Sequence, residues 1–285
     1  MSNSVYKSKE GQSIVENYYQ QTLASVPTAP FRQRFIETAI AKTHVLQFGD
    51  SGKPPLIMLH GSMGNSATWL GVVSLFVDYF SVFCVDIPGE PGLSAAVRLD
   101  LDSAQPALWL ESLLDKLEIE RAAFLTISLG SWYALNFAVN QPQRCVALVL
   151  ITTGGIAPQR KDFLFKALFC LLLGKHGQKM LNKMVFHKAV VPLQVLEAQA
   201  LVAKHFKPLT KALPLFTDAQ LCQLHMPLQY WGGDHDVLLN TLKTAERLRK
   251  LAPQAEIHVL ADTGHVIIDQ FSPIRDFLLR VTAYK

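Results

Sequence analysis

The sequence is poor in cysteine, with four residues, at 84, 145, 170 and 222, in a chain of 285. No two of them have the C-x-x-C spacing of a metal knuckle or redox motif. Cys84 and Cys145 sit inside apolar runs. They read as buried reduced thiols, and this usage fits a reducing compartment. Charge is also scarce: 18% of residues are charged and the net charge is +4. Basic residues are scattered, with only short clusters such as Arg160-Lys161, so nothing suggests a nucleic-acid surface and no nucleic-acid partner is expected. Long apolar runs are missing. The longest, 163–173, is interrupted by Lys166, and it is well short of the roughly 20 residues a spanning helix needs. The N-terminal stretch MSNSVYKSKEGQS is polar and lacks the apolar core of a secretory signal. The sequence therefore predicts a cytoplasmic protein without a transmembrane segment. It shows no internal repeat and no low-complexity segment.

What is present is a large apolar fraction, 49%. At this length it suffices for one large α/β domain with an insertion, or for two small domains. Residues 11–26 have helical character with a polar surface and predict an N-terminal helix outside the main sheet. Residues 35–48 hold two β-leaning pieces on either side of Ala41-Lys42. The first alternates Ile36, Thr38 and Ile40; the second carries Thr43, Val45, Leu46 and Phe48. They predict an antiparallel pair at a sheet edge. A strand–helix alternation then begins. Short apolar strands are predicted at 55–59, 81–87, 121–125 and 146–152. Helices are predicted at 66–80, with Trp69, Val72, Val73, Phe76 and Phe80 on one face, at 101–117, and at 132–139. Short all-apolar strands alternating with amphipathic helices predict a mostly parallel sheet covered by helices on both faces.

The alternation stops after Thr153-Gly154-Gly155. Residues 156–224 carry no convincing strand but several helical pieces, at 162–173, 176–185, 193–205 and 218–224. They read as a helical cap inserted between two strands. The alternation resumes with strands at 228–231 and 256–260 and helices at 240–251 and 267–281. The expected organisation is an α/β core from residues 1–155 and 225–285, with residues 1–30 as an N-terminal helical extension, and the cap at 156–224.

In a parallel α/β sheet, functional groups gather at the carboxyl ends of the strands. The strand ending near residue 125 runs into Thr126-Ile127-Ser128-Leu129-Gly130. A serine at a sharp strand-to-helix turn is held with its Oγ clear of the sheet, although serine also favours the ordinary helix N-cap. A serine hydroxyl is a poor nucleophile alone and needs a base, an orienting acid and oxyanion donors. Other strand ends supply such groups: His60-Gly61-Ser62-Met63-Gly64, Gly232-Gly233-Asp234-His235-Asp236, and Asp262-Thr263-Gly264-His265. Asp234 and Asp236 compete for the acid. Asp234-His235-Asp236 also resembles a metal cluster, but three adjacent residues rarely converge on an ion without distant ligands. No metal is expected there.

The combined pattern H-G-x-x-G, D-x-P-G, S-x-G, G-D-x-D and G-H, in the order Ser, Asp, His, resembles the α/β-hydrolase superfamily from about residue 35 to the end. The likeness is to its capped serine hydrolases, the carboxylesterase and C–C hydrolase branch. The resemblance implies Ser128 as nucleophile, His265 as general base and Asp236 as the orienting acid, with the backbone amides of Ser62 and Leu129 as oxyanion hole. It implies no cofactor. His60 is expected to shape its loop by hydrogen bonding, Asp86 to stabilise a loop, and Glu90 and Ser94 to lie in a turn near the pocket mouth. Relatives that dehalogenate haloalkanes or open epoxides need a carboxylate at the elbow, and position 128 is serine. The implied chemistry is cleavage of a small, fairly apolar carboxylic ester through an acyl-enzyme. Thioester cleavage, C–C bond hydrolysis and acyl transfer use the same triad, and a non-enzymatic ligand receptor on this fold is the alternative from another class. One departure stands out: Thr126 occupies the place of the first elbow glycine, so the elbow is expected to be modified. Trp132 is expected to pack beneath it.

The cap is expected to form the lid and one wall of a small-molecule pocket. Its apolar residues Phe163, Leu164, Phe165, Leu168, Phe169, Leu171, Leu172 and Leu173 exceed one helical face. They suit packing against the core or a partner subunit, as in a homo-oligomer formed through the cap, or an apolar tunnel or membrane-facing lid. Lys175, Lys179 and Lys183, spaced four apart, read as a solvated stripe.

Overall fold

The computed structural model describes residues 4–25, 29–160, 170 and 174–283. The apolar stretch 163–173 falls almost wholly outside them, and so do the expectations attached to it. The chain runs α1 (Lys9–Ser25), β1 (Phe31–Glu37), β2 (Lys42–Phe48), β3 (Pro55–Leu59), β4 (Ser81–Val85), α2 (Gln105–Lys116), β5 (Ala122–Ile127), α3 (Leu129–Asn140) and β6 (Cys145–Ile151). After β6 come α4 (Gly174–Phe186), α5 (Leu193–His205), the single turn α6 (Asp218–Leu221), β7 (Leu228–Gly233), α7 (Thr241–Leu251), β8 (Glu256–Leu260) and α8 (Phe271–Thr282). Among the described residues, no helix is long and apolar enough to cross a membrane.

The eight strands form one sheet in the order β1-β2-β4-β3-β5-β6-β7-β8. All of its pairings are parallel except β1 with β2 and β2 with β4. The expected antiparallel edge pair is therefore present. Its turn comes earlier than the alternation of Ile36, Thr38 and Ile40 suggested. The Thr38 hydroxyl donates to the Ala41 carbonyl at 2.7 Å and accepts from the Ala41 amide at 3.0 Å. That local pairing diverts the backbone from the strand ladder.

Because side chains alternate across a strand, the central strands feed two cores. In β5, Ala122 and Phe124 face the core built with α2, α3 and α7, where Trp109, Tyr133 and Leu248 are buried. Ala123 and Leu125 face the other, with Trp69, Phe76, Ile274 and Phe277. Phe124 packs on Phe137 of α3 at 5.5 Å between ring centroids. Truncating either ring to alanine costs about 3–5 kcal/mol.

The stretch 66–80 differs from expectation. It forms two short 3₁₀ turns, Ser66–Trp69 and Val73–Leu75, instead of one helix. Asn65 caps the first turn, its side chain accepting from the Ala67 amide at 3.0 Å. Gly71 and the bulky Trp69, Val72 and Val73 are weak helix formers. Trp69, Val73, Phe76 and Phe80 are nevertheless fully buried, so the apolar face is real although the helix is not. The helix expected at 101–117 begins later, at Gln105, with a proline in its first turn, a position where the missing amide costs nothing.

α1 lies outside the sheet and joins two parts of the molecule. The Tyr19 hydroxyl donates to Asp86 Oδ1 at 3.1 Å, at the end of β4. At the other end, the Lys7 amide donates to the His205 carbonyl and the Lys207 amide to the Val5 carbonyl, each at 2.8 Å. Tyr6 and Phe206 pack edge to face beside them.

Candidate active site

Ser128 sits between the last residue of β5 and the first of α3, with φ 51° and ψ −108°. A left-handed backbone at a non-glycine residue costs about 1–3 kcal/mol and persists only where its surroundings enforce it. Here the Ser128 amide donates to the Ile151 carbonyl of β6 at 2.8 Å, and the Gly130 amide to the His60 carbonyl at 3.1 Å. Gly130 is the residue that permits this approach. A Cβ there would lie 2.5 Å from the Leu59 oxygen and 2.6 Å from the His60 oxygen.

The elbow's other departure is accommodated by hydrogen bonding. Thr126 is fully buried. Its hydroxyl donates to the Val149 carbonyl at 2.8 Å and lies 3.0 Å from Ser131 Oγ on α3. The Ser131 hydroxyl donates to the Ile151 carbonyl at 3.2 Å. Strand β5 and helix α3 thus each send a hydroxyl to a β6 carbonyl, side by side at the place where the expected glycine would leave only backbone contact. Trp132 is buried under the elbow as expected, stacked on Phe216, with its indole N–H donating to the Pro214 carbonyl at 2.9 Å.

The carboxyl ends of β7 and β8 bring the remaining partners. His265 Nε2 lies 3.1 Å from Ser128 Oγ, and its Nδ1 lies 2.7 Å from Asp236 Oδ2. The other Asp236 oxygen accepts from the Leu238 and Leu239 amides at 2.8 and 3.0 Å. Burial favours the neutral acid. The adjacent His265 imidazole and the two amides outweigh it and hold the Asp236 carboxyl below its ordinary range. Of the two competing acids, Asp236 is the one bonded to His265. Asp234 instead accepts from His235 Nδ1 at 2.8 Å and the Thr263 amide at 3.2 Å. Gly264 allows the next contact: a Cβ there would lie 2.8 Å from the Val185 carbonyl of α4. The same carbonyl accepts from the His265 amide at 3.0 Å.

The loop after β3 borders the serine. A Cβ on Gly61 would lie 3.5 Å from Ser128 Cβ. Among the described residues, neither the Ser62 nor the Leu129 amide donates an intramolecular hydrogen bond. Leu129 opens α3, whose N-terminal dipole favours negative charge. His60 is buried, and burial pulls its pKa down. Its Nε2 accepts from the Ile87 amide at 3.0 Å, leaving Nδ1 to donate to the Gly61 carbonyl at 2.8 Å. It therefore braces the loop after β3 against the segment that follows β4. Asp86 also braces: it accepts from the Ser66 amide at 2.8 Å and the Leu93 amide at 2.9 Å, and its Oδ2 pairs with His44 Nδ1 at 2.9 Å. Burial opposes its charge, yet the His44 hydrogen bond and the other partners hold it down at about 2.

Glu90 is the residue whose part the sequence did not reveal. It is 2% exposed and its Oε2 accepts from the Met63 amide at 2.6 Å and the Ser62 hydroxyl at 3.4 Å. It thus fixes the turn in which Met63 holds φ 61°. Burial pushes its pKa up to about 7, against the pull of the Met63 amide, Arg98 and the Ser62 hydroxyl. A carboxylate inside a Pro/Gly turn directly after a strand end was the available signal.

A parallel sheet with a strained serine at one strand end, hydrogen-bonded through a histidine to an aspartate from two others, defines a class of fold and site. The sequence pattern of the alpha/beta hydrolase family matches residues 56–277. The chain belongs to that family. A Bacillus subtilis (strain 168) protein described as the uncharacterized carboxylesterase nap is 27% identical over 260 residues, covering 88% of this chain and 86% of its own length. Carboxylesterase YbfK of the same organism is 25% identical over 263 residues, covering 88% of each chain. The crystal structure of naproxen esterase (carboxylesterase NP) from Bacillus subtilis superimposes with a TM-score of 0.81. It is 24% identical and covers 98% of this chain and 99% of that one.

Proposed function

We propose that this hydrolase is a carboxylesterase that cleaves small, fairly apolar carboxylic esters through an acyl-enzyme on Ser128. The observation that carries the reading is the continuous hydrogen-bond chain from Ser128 through His265 to the buried Asp236. The Ser128 oxygen attacks the ester carbonyl carbon while its proton passes to His265 Nε2. Asp236 holds Nδ1–H, which keeps the imidazole oriented and stabilises the imidazolium that forms. The carbonyl oxygen becomes an oxyanion held by the Ser62 and Leu129 amides. The His265 proton then goes to the leaving alkoxide oxygen as the C–O bond breaks. Water, deprotonated by His265, attacks the acyl carbon, and the carboxylic acid leaves with Ser128 restored.

Residues 156–224 serve in this reading as the cap over the site, with residues 1–155 and 225–285 as the core. Support comes from the described helices α4 to α6, which lie between β6 and β7, and from the contact of α4 with the His265 loop. Esters also fit the carboxylesterase names of the relatives. The test is a panel of p-nitrophenyl esters of increasing acyl length, assayed with wild type and Ser128→Ala, together with fluorophosphonate labelling. Wild type is expected to turn over short and medium esters and to label at Ser128. Equal turnover by Ser128→Ala would refute the reading.

A further inference from the structure

Three side chains outside the Ser128–His265–Asp236 chain meet on the rim of the same loops. His187 follows α4, His235 lies in the loop after β7, and Asp262 lies in the loop after β8. His187 Nε2 is 2.8 Å from Asp262 Oδ1. The His187 and His235 rings stack with centroids 4.6 Å apart and 18° between their planes. One ligand atom from each of the three residues lies within 4.8 Å of the others. In the sequence, the 234–236 cluster lacked distant ligands. The fold supplies two of them, His187 and Asp262, and turns Asp236 away toward His265.

The surroundings of His235 match those of a metal ligand. Its Nδ1 donates to Asp234 Oδ1 at 2.8 Å, and the same oxygen accepts from the Thr263 amide at 3.2 Å. With the proton on Nδ1, Nε2 presents a lone pair. A carboxylate on the far nitrogen of an imidazole is the partner that fixes the tautomer and raises the basicity of a coordinating histidine. His187 and Asp262 both hold left-handed backbones, φ 53° and 54°.

We propose that His187, His235 and Asp262 bind one divalent ion of the zinc type, which ties the C-terminal end of α4 to the two loops carrying Asp236 and His265. Two imidazoles and one carboxylate are donors that zinc accepts, with water in the fourth position. Zinc bond lengths place ligand atoms about 3.4 Å apart in a tetrahedron, so the side chains must draw together and the stacked His187 and His235 rings must turn until the lone pairs in their planes converge. Their exposure allows it: the His187 side chain is 28% exposed, His235 53% and Asp262 50%. Lys188 contacts the other Asp262 oxygen and opposes a cation there. The site is independent of the chemistry assigned to Ser128.

The test is calorimetric titration of the full chain, stripped with chelator, with zinc chloride, paired with melting temperatures at saturating zinc. One equivalent is expected to bind and to raise the melting temperature. His187→Ala and His235→Ala are expected to weaken binding at least tenfold. Asp234→Asn weakens it by about 10–100-fold, the usual effect of losing the partner of a coordinating histidine. Lys188→Gln tightens binding. His265→Ala retains it, which separates this site from zinc held by the triad. No binding by wild type, unchanged binding in both histidine variants, or loss in His265→Ala overturns the proposal.

Discussion

The Thr126 hydroxyl stands 3.0 Å from the Ser131 hydroxyl across the strand–helix junction of the elbow, and both reach β6 carbonyls. The threonine that departs from the family spelling is therefore part of a small buried polar network. Such a network stabilises only when its members are satisfied. Thr126→Val keeps the shape and removes the hydroxyl. It is expected to lower stability by about 1–3 kcal/mol, seen as a lower urea midpoint with an unchanged slope.

Asp236 and Asp234 lie on one loop, yet only Asp236 reaches His265. Asp236→Asn is expected to lower kcat by roughly 10⁴-fold on the best ester of the panel, because an amide no longer selects the productive imidazole tautomer. Asp234→Asn is expected to cost far less, since its hydrogen bonds go to His235 and Thr263. Steady-state kinetics of the two variants, assayed with chelator present, decide between the acids. Equal losses would contradict the assignment.

Glu90 has a folded pKa raised to about 7 from an ordinary 4.5. A raised folded value means that the folded state holds the proton more tightly than the unfolded chain. Its contribution is fully present below pH 4.5 and is lost as pH rises through about 7. The loss is on the order of 3 kcal/mol. Denaturant titrations from pH 4.5 to 8 are expected to show a decline in wild type that Glu90→Gln lacks. Identical pH slopes for the two proteins would rule out this role for Glu90.

The sheet and the meeting of Ser128, Asp236 and His265 were legible because both depend on local patterns. β3 is a short apolar run and β8 alternates polar and apolar residues, and the limits of both match the expected ones. Ser128, Asp236 and His265 each follow a strand, so the parallel sheet alone brings them to one edge. Residues 66–80 misled because burial and helical spacing coincide there, while Asn65 caps only a short 3₁₀ turn. Glu90 escaped because its partners are an amide and a hydroxyl 27 and 28 positions away. His187 escaped for a similar reason: only the fold brings it to Asp262, 75 positions on.

The contacts of α1 bear on how the chain folds during synthesis. The Lys7 amide meets a carbonyl 198 positions later, and the nearby Lys7 Nζ reaches Ala203 and Lys204. Loop-closure entropy opposes so remote a pairing until both ends exist and the intervening sheet holds them close. Tyr19 can seek Asp86 soon after β4 leaves the ribosome, but the other end of the helix stays without its partner until α5 emerges. Docking of the N-terminus is thus a late event in the folding of a segment made first. Amide exchange at Lys7 and Lys207, followed during refolding, reports that closure separately from formation of the sheet.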